Sequence, residues 1–175
     1  MYRRTENKHI PRKKTVGMQK KNMDTLDEID LKILRQLQQD SHLTTKELAA
    51  RVNLSTTPVF ERVRRMEREG IIRRYVALLD ADKLDKGLCV FCNVKLRRHN
   101  CSLGREFMEE IQDVPEITEC YNISGEFDYM LKIYVRSMKH YQDFVLDVLG
   151  KISSVGSIQS NFVMSEVKRT TAIPI

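Results

Sequence analysis

Long apolar runs are missing from this 175-residue chain. None approaches the roughly 18 to 20 residues that a membrane span needs, and the N-terminal tail lacks the apolar core of a secretory signal peptide. A soluble, cytoplasmic protein is expected. Cysteine is also scarce: four thiols, at positions 89, 92, 101 and 120, are too few and too scattered for a secreted disulfide scaffold. Cys89 and Cys92 lie in "GLCVFCNVKLR", a strand-like stretch where residues three apart point to opposite faces, which argues against a redox pair or a metal knuckle. The four histidines, His9, His42, His99 and His140, form no ligand-spaced cluster. No nucleophile–base pair or phosphate loop is evident. No catalytic residue, metal or cofactor is therefore assigned.

Charge of one sign is confined to one place. Residues 1–22 hold eight Lys/Arg and one acid, residues 23–80 hold ten of each, and residues 81–175 hold twelve and thirteen. The net +6 thus belongs to the tail. A basic arm with almost no apolar content attracts polyanions by counterion release. A solubilising leader, or an upstream start with initiation at Met18 or Met23, explains it equally well.

Beyond the arm the apolar spacing is helical. Leu26, Ile29, Ile33, Leu34 and Leu37 fall at steps of three and four, on one face of a helix ending near Asp40. The pattern restarts in "LTTKELAARVNLS", where Thr44 and Glu47 form a capping box ahead of Leu48, Ala49 and Val52. Asn53 tolerates the left-handed conformation that closes a helix, and Ser55 is suited to cap the next. Pro58 fits the first turn of a third helix, and Gly70 ends it. A short helix, a three-residue turn and a second helix describe a helix-turn-helix.

Residues after 74 alternate strand and helix patterns: "YVALL" and "CVFCNVKL" are strand-like, "SLGREFMEEIQ" is helical, "ITECYNIS" and "DYMLKIYV" are strands about Gly125-Glu126, "MKHYQDFVLDVLGKI" is helical, and "SIQSNFVMSEV" is a strand. From "CVFCNVKL" onward the order is β-α-β-β-α-β, the ferredoxin-like split unit with both helices on one sheet face. The other face, expected to carry Val90, Tyr121 or Tyr134, suits burial by a second copy in a homodimer. The fold class is α+β, with a basic arm (1–22), a helix-turn-helix domain (23–73), a connector strand and hinge (74–87), and a ferredoxin-like ligand-binding and oligomerisation domain (88–175).

In the third helix Val59, Val63 and Met66 form the packed stripe, at about 100° per residue. The opposite side carries Thr57, Glu61, Arg64, Arg65 and Arg68, while Arg62 flanks the core and is suited to pair with an acid. Arginines on a solvated helix carry little information. As the second helix of a helix-turn-helix, however, this one points its N-terminal turn at base edges. Ser55, Thr56 and Thr57 can then donate to phosphates or bases, the arginines can take guanine or phosphate, and Glu61 can accept from cytosine. Thr45, Lys46 and Pro58 complete the candidate DNA-contacting set with Arg62. Acids at Asp24, Asp27, Glu28 and Asp30 suggest a surface with segregated charge.

"LDEIDLKILRQLQQD", "ELAARVNLSTTPVFERVRRMEREGII" and "SGEFDYMLKIYV" resemble the Lrp/AsnC, or feast/famine, family of transcription regulators, closest to its leucine-responsive branch. The resemblance runs from about residue 24 to residue 173. It implies a winged helix-turn-helix with "IIRRYVALLD" as the connector strand, followed by a ferredoxin-like effector domain. It also implies homodimers assembling to octamers or similar, and nucleoid association on double-stranded DNA. An amino acid, leucine-like or another small one, would bind at Gly125-Glu126-Phe127-Asp128, with Ser157 and Gln159 facing it. Glycine lets a ligand approach the backbone, and an acid can receive an α-ammonium. A two-residue hairpin turn would explain Gly125 unaided. Two other functions stay open: a DNA-organising protein without ligand sensing, and an amino-acid-binding regulatory subunit of an enzyme.

Overall fold

The computed structural model describes residues 26–98 and 101–175, apart from the side chain of Cys101, so the basic arm, Asp24 and His99 lie outside the described residues. The chain divides into two units, one holding the residues up to Val76 together with Thr170–Ile175, the other Ala77–Arg169.

The helical unit consists of α1 (Glu28–Gln39), α2 (Thr45–Arg51) and α3 (Thr56–Arg68). Two capping boxes start the first two helices. Thr44 Oγ1 accepts from Glu47 N at 3.2 Å while the Glu47 carboxylate accepts from Thr44 N at 2.8 Å, as the spacing predicts. The other box was not anticipated: the Asp27 carboxylate accepts from Asp30 N at 2.8 Å, and that of Asp30 accepts from Asp27 N at 3.1 Å. Each box satisfies donors that the first helical turn leaves free. Asn53, with φ 56°, closes α2, and Gly70, with φ 72°, follows α3. Ile33, Leu48, Ala49, Val52, Val59 and Met66 form the core, with Leu26, Ile29, Leu37 and Val63 packed against it.

The chain's last residues do not stay with the ferredoxin-like domain to which 88–175 assigned them. They cluster with the helical unit, where the Gln38 amide takes Ile173 N at 2.6 Å and donates to Ile173 O at 3.1 Å. Arg35 Nε donates to Ile175 O at 2.7 Å. The expected connector strand in "IIRRYVALLD" is also absent, since residues 73–80 form no regular element. A strand needs a ladder partner. None of the four strands of the sheet pairs with this stretch, and Val76, Leu78 and Leu79 are exposed.

The second unit runs β1 (Leu88–Leu96), α4 (Cys101–Ile111), β2 (Ile117–Asn122), β3 (Tyr129–Val135), α5 (Met138–Asp147) and β4 (Val155–Phe162). Its antiparallel sheet has the order β2-β3-β1-β4, with β1 in the middle against β3 and β4. Strand alternation sends Val90, Cys92, Val94 and Leu96 of β1, and Tyr129, Leu131, Ile133 and Val135 of β3, into one core with Phe107, Ile111, Tyr141 and Phe144 of the two helices. Val90 is therefore fully buried on the helix side, not on the open face where it was expected. Cys89 and Cys92 point to opposite sides as predicted; the first is half-buried and the second enclosed, and burial pushes both thiols up.

Candidate DNA interface and effector hairpin

The start of α3 is exposed. Ser55 takes the N-cap position as predicted, but its side chain makes no capping bond, and the first turn carries no acid. The first N–H donors and the positive end of the helix dipole stay available to an anion. Ser55, Thr56, Thr57 and Pro58 are all exposed there, with Pro58 in the first turn.

Glu61, Arg64 and Arg68 are exposed beyond that turn, and Val59 and Met66 are fully buried behind them. The arginines divide into two groups. Arg62 donates to Asp27 at 2.7 Å and to Asp30 at 2.8 Å, the acid partnership foreseen for it. Arg65, expected on the far face, also turns back and pairs with Asp30. Asp30 is fully buried, with both oxygens engaged, so one carboxylate of α1 holds two arginines of α3. Hydrogen bonds donated to Asp30 and Asp27 push the Arg62 guanidinium up, and the N–H of Asp30 and then Arg62 hold the Asp27 carboxyl below its ordinary range. The segregated acidic surface is thereby reduced, because two of its acids neutralise α3 from within the domain. Arg64 and Arg68 are left facing outward.

Phe60 was missed. It is 46% exposed, with the Arg64 guanidinium 5.5 Å from its ring centroid. Placed at ~100° from Val59 on the helical wheel, it falls outside the packed stripe, which is the signal that would have found it. It borders a recess of about 320 Å³ lined also by Leu43, Thr45, Leu48, Arg64 and Tyr75. Thr45 is thus brought beside α3, whereas Lys46 stands exposed on α2.

At the far end of the sheet unit, residues 123–128 connect β2 to β3 as a six-residue loop, longer than the two-residue turn considered from sequence. Gly125 has φ 122°, a conformation that side chains disfavour. Gly125 and Glu126 are exposed, while Phe127 and Asp128 are half-buried. The Asp128 carboxylate accepts from Leu96 N at 2.8 Å, and its own N–H donates to Val94 O at 2.9 Å. This acid therefore anchors the loop to β1. Ser157 is paired in register with Lys95 and Gln159 with Asn93 on the opposite edge of β1, both exposed. Asp128 and Ser157 consequently flank the same end of β1, and Gln159 lies two residues further along.

Such a chain is a two-part regulator, a DNA-binding helical head followed by a small-ligand-binding sheet domain. Residues 26–73 match the profile of a winged helix-turn-helix DNA-binding domain, and residues 89–173 that of the Lrp/AsnC ligand binding domain. The chain belongs to the Lrp/AsnC family of transcription regulators. It is 39% identical over 160 residues to the leucine-responsive regulatory protein of Escherichia coli, covering 91% of this chain and 98% of that protein. It is 37% identical over 150 residues to the DNA-binding transcriptional activator DecR of Escherichia coli, covering 86% and 99%. A Neisseria meningitidis transcriptional regulator solved as its L-Met complex superposes with a TM-score of 0.82 at 38% identity, covering 85% of this chain and 96% of that one. An AsnC family regulator of Agrobacterium tumefaciens gives 0.81 at 39%, with coverage of 85% and 97%.

Proposed function

We propose that this regulator binds specific double-stranded DNA through α3, and that an amino acid bound at residues 125–128 biases that binding. The observation that carries the DNA reading is the uncapped, acid-free first turn of α3 next to outward-facing Thr57, Glu61, Arg64 and Arg68. Thr56, Ser55, Pro58, Thr45 and Lys46 line its approaches. Arg62 and Arg65 act through α1, holding α3 in place.

For the effector, Gly125 offers close backbone approach, and Asp128 keeps a carboxylate beside β1 where an α-ammonium can reach it. Ser157 and Gln159 complete the site from a neighbouring chain of the assembly. The L-Met complex of the Neisseria relative supports an amino acid as ligand. The partly exposed Phe91, Lys132 and Tyr134, on the sheet face away from the helices, support a homodimer, assembling further to octamers or similar. No catalysis, metal or membrane attachment enters this reading, and its setting is the cytoplasm, on the nucleoid.

An effector shifts DNA binding only by its differential affinity for two states of the protein. The test is a panel of the twenty amino acids, read by DNA affinity and particle mass together. At least one is expected to move both. No change in DNA affinity or in mass across the panel would favour the DNA-organising alternative.

A further inference from the structure

We infer that Phe60 is a specificity-determining residue that reads the 5-methyl group of a thymine in the major groove. This rests on the proposed docking of α3 and adds to it the identity of one base feature. On the helical wheel Phe60, Arg64, Thr57, Arg68 and Glu61 form one continuous outward arc, spanning about 100°. Four of these side chains are polar or charged; Phe60 is the aromatic one, and nearly half of it faces solvent. A large apolar ring left in water on a polar arc forgoes burial that a polar residue would not need. Thymine alone among the bases places a methyl group in the major groove, and apolar contact with that methyl is an established readout for phenylalanine.

The geometry around the ring fits this use. Arg64, one helical turn on, holds its guanidinium 5.5 Å from the ring centroid, an attraction that restricts both side chains before DNA arrives. The same pair borders the shallow recess lined by Glu61, Glu67 and Arg68. Thr45, the first residue of α2, lines the recess that Phe60 borders, and a threonine hydroxyl is a donor suited to a phosphate. A base edge reaching Phe60 is thus met by an apolar surface with a cationic fork beside it.

The experiment uses the full-length protein and a duplex enriched from a randomised pool against non-specific competitor DNA. Each thymine of that duplex is replaced in turn by deoxyuridine, which removes only the methyl group. Wild type is expected to lose affinity about fourfold at one thymine position of the site, the amount a single buried methylene-sized group is worth. Phe60→Ala should bind the thymine duplex more weakly and no longer distinguish the two bases at that position. Phe60→Leu should keep the distinction, because it keeps an apolar contact, and it guards against a folding defect in the alanine variant. The inference is overturned if wild type tolerates deoxyuridine everywhere, or if Phe60→Ala retains the wild-type loss at that position. It is also overturned if Phe60→Ala leaves DNA affinity intact but alters the particle mass without DNA, which would make the ring a protein–protein contact. Failure of any duplex to enrich is a separate result, and it would remove the DNA-binding reading itself.

Discussion

Among the described residues, the helical unit encloses six apolar side chains around α1, α2 and α3, with a charged group, Asp30, buried among them, while the sheet unit encloses fourteen and no charged group. The larger core rests on strand alternation and aromatic contacts such as Phe107 against Tyr129, whose ring centroids are 4.8 Å apart. The smaller one adds a carboxylate that ties α3 to α1 through two arginines. A buried ion pair contributes little net stability compared with apolar packing, yet losing one partner is costly because the other charge is stranded. Its value is orientation. Three short helices with a small core can slide, and the Asp30 cluster fixes the roll of α3 and hence which of its residues face outward. The sheet, locked by its ladders, needs no such device and leaves its polar chemistry to loops at its end.

Phe107→Ala tests the sheet unit's side of this contrast most severely. Truncating a fully buried aromatic is expected to cost about 4 kcal/mol, read as a lowered unfolding midpoint of the sheet unit in hydrogen exchange. Protection of α1–α3 should be retained. Asp30→Ala is the counterpart, expected to cost about 3 kcal/mol by leaving Arg62 and Arg65 without their shared partner. It should loosen α3 selectively and lower DNA affinity even though Asp30 itself is hidden. If Asp30→Ala melts both units together, the division of labour between them is wrong.

Arg64→Ala should reduce binding to an enriched duplex by about 1 to 3 kcal/mol with the melting profile unchanged. Arg65→Ala, by contrast, is now expected to act on stability first, because its guanidinium serves Asp30. Equal behaviour of the two variants would erase the distinction between outward and inward arginines. The smallest effect is in acid. The N–H of Asp30 and then Arg62 hold the Asp27 carboxyl below its ordinary range, and Thr44 does the same for Glu47. A depressed folded value means that the stabilisation is present above the unfolded value and is lost as pH falls through the folded one. Denaturation of the helical unit should therefore become easier below about pH 4. Thr44→Ala should flatten part of that dependence.

Much of both units was legible locally. Apolar steps of three and four placed α1–α3, Thr44 with Glu47 marked the start of α2, and Asn53 supplied the left-handed residue of the turn. The order of strands and helices after residue 88 identified the split βαββαβ unit. A turn at Gly125 was readable, although the six-residue length of the loop was not. The outward placing of Thr57, Glu61, Arg64 and Arg68 on α3 was legible, while Arg65, expected on the same face, turns back to Asp30. The helical wheel reports an angle, whereas the side an arginine's flexible chain takes depends on which carboxylate lies within reach.

What the sequence determined by itself is what depends on neighbours a few residues apart: helix starts and ends, the alternation within each strand, the separation into two units, and the confinement of net charge to the first 22 residues. What tertiary structure decided is what depends on residues brought together from afar. Arg62 and Arg65 found Asp30 more than thirty positions away; Val90 was assigned to the helix side by its register opposite Ile133; and the chain's last residues settled on Gln38 and Arg35 of α1. Periodicity fixes how side chains alternate along an element, but only packing fixes which side becomes the inside. A stretch such as 73–80, strand-like in composition, forms a strand only where a second strand offers it hydrogen bonds.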